Sequence, residues 1–143
     1  MSYIIDVYSG AQKPEYHWGY FCLYVAYFPQ LVAGPIERSG RLLPQLRSKH
    51  QFDYAQVTEG FRLILWGLFL KVAVADRVAP FVNQVYTTPE SYTGPSFAMA
   101  TFFFACQIFC DFAGYSCIAI GTARTMGVEL MQNFRRPYFA KSV

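Results

Sequence analysis

Three apolar segments, separated by polar or basic stretches, dominate the hydrophobic pattern of the chain. They cover residues 17–33, 54–79 and 97–126. As a helix, the second segment is about 39 Å long at 1.5 Å per residue, which suffices to cross a bilayer at a tilt. The pattern therefore predicts an all-α, polytopic membrane protein with about three transmembrane or membrane-embedded helices.

Local signals set the expected ends of these helices. Asp53 is the predicted N-cap of the second helix, and Pro80 is expected to end it, because proline lacks a backbone donor. For the same reason, Pro29 is expected to kink or end the first helix. Ser96 is the predicted N-cap of the third helix, and Gly127 is its predicted C-terminal stop.

Composition supports a membrane protein. Charged residues make up 15% of the chain and hydrophobic residues 54%, whereas soluble domains contain about 25% charged residues. No basic run alternates with aromatic residues as on a nucleic-acid-binding surface, so no nucleic-acid partner is expected. Neither histidine lies near the three cysteines of the third segment, so no metal site is predicted.

The placement of charge predicts a topology. Residues 35–52 form a basic loop, and residues 127–143 are also basic, whereas residues 81–95 contain no Lys or Arg. The positive-inside rule then places the two basic stretches in the cytoplasm, and residues 81–95 and the N-terminal end outside. Within the basic loop, residues 40–50 fit an interfacial segment and a solvated loop equally well, since Pro44 weakens a continuous helix.

Asp111 is the sharpest candidate for function. It lies in the most apolar stretch of the chain, where a carboxylate facing lipid would cost roughly 2.5–3.5 kcal/mol. It is therefore expected to face protein or water, with Lys71 or Arg62 as possible partners. A structural ion pair and a role in lining a polar cavity both stay open. Tyr115 and Ser116, nearby, can contact a substrate or pack between helices.

Five further polar residues are candidates. Glu37 and Arg38 follow a Gly-Pro break, where they can grip a polar partner or mark a helix exit at the interface. Asn133 precedes Arg135 and Arg136, which lie among aromatic residues. Guanidinium groups bind carboxylate or phosphate in a bidentate manner, and anchoring to lipid headgroups is the alternative.

Two motifs carry a resemblance to a known family. Residues 28–38 read FPQLVAGPIER and residues 107–116 read QIFCDFAGYS, and residues 133–138, NFRRPY, continue the pattern. These segments resemble the membrane-bound O-acyltransferases, and most closely the branch that acetylates alginate. The similarity covers nearly the whole chain, so residues 1–143 are expected to form part of one such domain.

The resemblance implies a fold, a location and a reaction. Members are multi-pass, multi-helix enzymes of the bacterial cytoplasmic (inner) membrane. They pass an acyl group, here expected to be acetyl, from a cytoplasmic thioester donor to hydroxyls of an exported polysaccharide such as alginate. The expected partners are the lipid bilayer and other proteins that modify the polysaccharide, and no cofactor is expected beyond the donor, an acyl-CoA or an acyl-carrier protein.

The resemblance also implies residue roles. Asp111, Ser116 and Asn133 are expected to line or brace the central cavity, and Arg135 and Arg136 to stabilise a loop beneath it. The family's Trp-His motif follows the segment that matches residues 139–143. The catalytic histidine is thus expected beyond Val143, and no catalytic residue is expected within the chain.

Two positions depart from the family pattern. Cys117 stands in place of the usual Asp, and Ser9 in place of the usual Arg. A fragment of this kind is expected to be inactive alone. The alternative interpretation is a non-catalytic membrane subunit or a transporter fragment, which would also contain apolar spans and an intramembrane acid.

Overall fold

The computed structural model describes residues 2–31, 34–35 and 37–133, and these residues form helices joined by turns. The helices are α1 (Ser2–Tyr8), α2 (Trp18–Val25), α3 (Ser39–Arg47), α4 (Tyr54–Leu68), α5 (Asp76–Thr87) and α6 (Gly94–Thr125). A π-helical segment, Phe69–Ala75, joins α4 to α5, and 3₁₀ turns occupy Phe28–Gln30 and Pro89–Ser91.

The second predicted helix extends further than expected. α4, the π-segment and α5 follow one another without a break, so the helical rod runs on to Thr87, and the prediction that Pro80 ends it is wrong. A proline inside a helix removes one hydrogen bond and crowds the preceding turn. The π-segment directly before α5 widens the backbone there, and adjustments of this kind let helices in membrane proteins continue past a proline.

The rod packs antiparallel against α6 through two pairs of glycines. Gly60 faces Gly121, and Gly67 faces Gly114. A methyl group on Gly67 would lie 2.6 Å from the Gly114 carbonyl oxygen, and one on Gly121 would lie 2.5 Å from the Gly60 carbonyl oxygen. The two backbones are therefore in direct contact, as small residues allow in membrane helix pairs, and no larger residue fits at these positions without displacing a helix.

The third predicted helix is observed close to its expected bounds. α6 runs for 32 residues without interruption, with Thr93 rather than Ser96 at its N-cap. It ends as predicted at Gly127, whose φ of +81° favours glycine. Asp53 caps α4 as predicted, since its Oδ1 accepts a hydrogen bond of 2.9 Å from the Ala55 N–H. Within the described part of the chain, α6 is the one helix long and apolar enough to cross a bilayer.

The first predicted segment, 17–33, is not one helix. α2 has 8 residues, about 12 Å at 1.5 Å per residue, which is too short to cross a bilayer. Tyr27 then adopts extended backbone, and the 3₁₀ turn that contains Pro29 follows. The helix thus ends before the proline that was expected to end it.

Most of residues 40–50 belong to α3, so the interpretation as a solvated loop is wrong, and a position in the membrane interface stays a prediction. Leu42 and Leu43 are buried against Tyr24 and Tyr27. The same core contains Ala123 at the end of α6, and Val128 and Leu130 just beyond it. Burial of the leucines in this core supports α3 despite the proline at position 44.

The segment before α2 lies beside α3. The Ser39 hydroxyl donates a hydrogen bond of 2.5 Å to Gln12 Oε1, and Arg47 forms an ion pair with Glu15. The Glu15 N–H donates to the Tyr3 hydroxyl oxygen at 2.8 Å, which ties α1 to the same place. The backbone N–H of His17 and then the Arg47 guanidinium hold the pKa of the Glu15 carboxyl below its usual value, so Glu15 stays charged.

We expect Gly67→Ala to destabilise the full-length protein by about 1–3 kcal/mol, the usual cost of overpacking. Alanine's better helix propensity returns only about 0.5–1 kcal/mol, so the clash with the Gly114 carbonyl dominates. Thermal unfolding in detergent measures the change.

Gly94→Ala is the matched control, since nothing lies within 4 Å of a methyl group there. If the two variants unfold at the same temperature, α4 and α6 do not pack through their glycines.

Candidate functional site

Asp111 forms an ion pair across the interface between the rod and α6. The Nζ atom of Lys71 lies 2.7 Å from Asp111 Oδ1 and 2.9 Å from Asp76 Oδ1. The contact with Asp111 is an ion pair, whereas Lys71 donates an aligned hydrogen bond to Asp76. Of the two partners proposed for Asp111, the structure selects Lys71.

Helix geometry explains why these three charges meet. Lys71 is one turn beyond Gly67, and Asp111 is nearly one turn before Gly114, so the antiparallel glycine contact brings both to the same level. Lys71 lies in the π-segment, where residue i bonds to residue i+5, and Asp76 is five residues further on. The π-segment thereby directs both side chains to one side of the rod.

The cluster is neither fully buried nor fully exposed. The side chains of Asp111, Lys71 and Asp76 keep 40%, 29% and 50% of their exposure, respectively. One lysine between two carboxylates leaves a net negative charge, which is costly against lipid. We infer that this side of α6 meets water or polar protein groups.

Tyr115 and Gln107 extend the polar face of α6 in both directions from Asp111. Gln107, Asp111 and Tyr115 are spaced four residues apart, so they lie on one helix face. The Lys71 ammonium lies 5.8 Å from the centre of the Tyr115 ring, which is a cation–π contact. Gln107 Oε1 is buried and accepts no hydrogen bond from the described residues. Sequence reasoning missed Gln107 and Asp76, although the four-residue spacing of Gln107 from Asp111 was a usable signal.

Ser116 lies in the interior of the fold. Its side chain is almost fully buried, and its hydroxyl has no hydrogen-bond partner among the described residues. Ala113, three residues earlier, is also buried, as the packing interpretation expected. Cys117, which replaces the usual Asp, is half-buried next to Ser116.

Glu37 holds the chain that follows α6. It is 4% exposed, and its Oε2 accepts a hydrogen bond of 2.6 Å from the Met131 N–H. The Glu37 carboxylate also lies 3.9 Å from Arg41 Nε. The polar partner of Glu37 is thus a backbone N–H inside the protein. Arg38 is exposed and is the N-cap residue of α3, where its carbonyl oxygen accepts the first hydrogen bonds of the helix.

Gln45 is a second holding point that sequence reasoning missed. Its Oε1 accepts a hydrogen bond of 2.8 Å from the Glu129 N–H, and its Nε2 donates one of 3.0 Å to the Glu129 carbonyl oxygen. Together, Gln45 and Glu37 fix residues 128–131, in which Val128 and Leu130 are buried in the core. This clamp, formed by Glu37 and Gln45, determines the direction of the chain towards Asn133, which is half-buried.

The last two candidates, Arg135 and Arg136, lie outside the part of the chain that the structure describes. Val143, beyond which the catalytic histidine is expected, also lies outside it. The position of that histidine therefore stays a prediction from the family resemblance. The described residues contain no group of three His, Cys, Asp or Glu side chains that could hold a metal ion.

The sequence matches the model of the membrane-bound O-acyltransferase family over residues 9–143. The chain belongs to the membrane-bound O-acyltransferase family. The family and α6 together make it part of a membrane protein.

The relatives of this chain have names that refer to alginate, peptidoglycan and teichoic acid. It is 35% identical, over its whole length, to a "probable alginate O-acetylase" of Azotobacter vinelandii, of which it covers 28%. It is 32% identical over 89% of its length to a peptidoglycan O-acetyltransferase of Helicobacter pylori, covering 24% of that protein. A teichoic acid D-alanyltransferase of Bacillus subtilis is 24% identical over 98% of the chain, which covers 36% of it. The chain thus spans about a quarter to a third of the length of these relatives.

We expect a double-mutant cycle of Lys71→Met and Asp111→Asn to give a coupling of about 0.5–1 kcal/mol in the full-length protein. This lies within the range measured for exposed ion pairs, since the Lys71 and Asp111 side chains keep 29% and 40% of their exposure and solvent screens their attraction. Chemical denaturation in detergent gives the four stabilities. Additive effects of the two substitutions would show that the pair adds nothing to stability.

We expect Gln45→Leu to speed hydrogen exchange at residues 128–131, since the Glu129 N–H loses its acceptor. Peptides from the middle of α6 should exchange as before. Gln51→Leu makes the same chemical change at an exposed position and serves as the control. Equal exchange in both variants would exclude the clamp.

Proposed function

We propose that the chain is part of a membrane O-acyltransferase that transfers an acetyl group from a cytoplasmic thioester to hydroxyls of an exported polysaccharide such as alginate. The family match over residues 9–143 carries the proposal. The choice of acetyl rests on two relatives named as O-acetylating enzymes, which are more similar to the chain than the D-alanyltransferase.

The reaction needs a base and a polar path. The acceptor hydroxyl oxygen attacks the thioester carbonyl carbon, a C–O bond forms and the C–S bond breaks, and the base takes the hydroxyl proton and passes it to the departing sulfur, which leaves as the thiol. In this proposal the base is the family histidine expected beyond Val143. The residues of this chain therefore bind and position reactants.

Asp111 and Lys71 would supply the polar path. They place two charges midway along apolar helices, and Gln107 and Tyr115 continue the same face. Hydroxyl and carbonyl groups of the reactants need such partners inside a membrane, where water is scarce. Ser116 is buried behind this polar face of α6 and would support it; its hydroxyl has no hydrogen-bond partner among the described residues.

Glu37 and Gln45 would act at a distance from that path. They fix residues 128–131, and so would set the position of Asn133, Arg135 and Arg136 relative to the cavity. The two arginines would then face phosphate groups of the donor or of lipid headgroups.

The proposal includes a location. The full-length protein would be a multi-pass protein of the bacterial inner membrane, with the basic residues of α3 in the cytoplasm, and it would work with other polysaccharide-modifying proteins. A thioester donor would then be reached from the end of the helix pair where Tyr54 and Thr125 lie.

We expect Asp111→Asn in the full-length protein to lower polymer O-acetylation about 10- to 100-fold, the loss typical of misplaced reactants. Polymer-bound acetate, released by mild alkali, is measured in a host that lacks its own polysaccharide O-acetylase. Protein in the membrane is quantified in parallel.

Glu59→Gln is the matched control. Glu59 pairs with Arg124 at 2.9 Å, so this variant also removes one ion pair between the rod and α6, at the end of the helices. Equal acetylation by the two variants would remove Asp111 from the site. If the unaltered full-length protein adds no acetate, the alternative of a non-catalytic subunit or transporter is favoured instead.

A further inference from the structure

The segment between Gln12 and Ser39 begins and ends at the same place. Gln12 and Ser39 are joined by a hydrogen bond of 2.5 Å, and Glu15 and Arg47 by an ion pair. The chain enters α2 just after Glu15 and reaches α3 at Ser39. Both ends of the segment therefore lie together beside α3.

The turn between these ends reaches part of the way along α6. Phe28, Pro29 and Gly34 line a cleft of about 160 Å³ with residues of α6 from Tyr115 to Thr122. Tyr115 is ten residues before the end of α6, about 15 Å at 1.5 Å per residue, which is half of a hydrocarbon core of roughly 30 Å. The 8 residues of α2 span about 12 Å, which agrees with this depth.

We propose that α2 and the turn after it form a re-entrant hairpin that enters the cytoplasmic leaflet and returns to the same side. The lipids of that single leaflet are its partner. The hairpin replaces the crossing expected for residues 17–33, and it places the segment before α2 in the cytoplasm rather than outside. The proposal stands independently of the reaction that the full-length protein performs.

The charge distribution favours this arrangement. Lys13 is exposed and lies beside Arg47, with which it lines a cleft of about 440 Å³. With α2 as a crossing, Lys13 would be the one Lys or Arg of the first 37 residues and would lie on the outer side. With α2 as a hairpin, it joins Arg41, Arg47 and Lys49 on the cytoplasmic side, where basic residues concentrate and anionic headgroups attract them.

Exposed aromatic residues lie where a headgroup region would meet the hairpin. Tyr8, Tyr16 and Trp18 keep 94%, 87% and 79% of their exposure, respectively. Tyr and Trp concentrate at membrane–water interfaces, because their rings are apolar and their polar atoms need water. All three lie near the tied ends of the hairpin in sequence, rather than at its tip.

The tip satisfies the main requirement for irregular backbone at membrane depth, which is tolerated only where protein covers it or water reaches it. Tyr27 and Pro35 are buried on the two sides of the turn. Phe28 and Leu31, by contrast, are more than half exposed and can face acyl chains.

Labelling of single cysteines tests the proposal in a cysteine-free version of the full-length protein. Lys13→Cys is compared with Lys49→Cys beyond α3 and with Glu90→Cys between α5 and α6, all at exposed positions. A membrane-impermeant maleimide is applied to intact cells and to permeabilised cells. Tyr16→Cys is a second reporter in case the Lys13 variant does not accumulate.

We expect Lys13→Cys and Tyr16→Cys to behave like Lys49→Cys, with labelling lost in intact cells and present after permeabilisation. Glu90→Cys should be labelled in both. Labelling of position 13 or 16 in intact cells, together with Glu90→Cys, would show that α2 belongs to a crossing and would overturn the proposal.

Discussion

The direct backbone contact between α4 and α6 is the constraint on which the rest of the structure depends. Gly60 against Gly121 and Gly67 against Gly114 fix both the separation and the register of two antiparallel helices. Lys71 meets Asp111 because each lies about one turn from a paired glycine, and Glu59, next to Gly60, meets Arg124, which lies about one turn after Gly121. In a membrane, where apolar surface gains little by leaving lipid, close packing of this kind is a main source of helix association.

Two regions along this helix pair differ in composition: a charged cluster lies midway along it, and an apolar core lies at its end. Midway along it, the π-segment directs Lys71 and Asp76 towards Asp111, and this concentrates charge where the surroundings are most apolar. At its end, α3 packs its leucines into a core with Tyr24, Tyr27 and Ala123. Glu37, just before α3, and Gln45, within α3, hold the backbone after α6, so the path of the chain towards Asn133 depends on this region.

Two prolines expected to interrupt helices, Pro80 and Pro44, lie inside helices, and the reasons differ. Pro80 follows a π-segment that changes the hydrogen-bond pattern before it, whereas Pro44 lies in a short helix supported by the burial of Leu42 and Leu43. Proline is unfavourable in both places, but its cost is local, and packing against distant residues offsets it. The sequence around each proline contains no information about those distant residues.

The sequence by itself determined the membrane class, the family resemblance, the start of α4 at Asp53 and the end of α6 at Gly127. These features depend on composition and on local hydrogen bonding, which neighbouring residues decide. Tertiary structure decided the partner of Asp111, the role of Gln45 and the short course of α2. Each of these depends on which backbones approach each other closely, and that is set by contacts between residues far apart in the chain, such as Gly67 with Gly114 and Gln12 with Ser39.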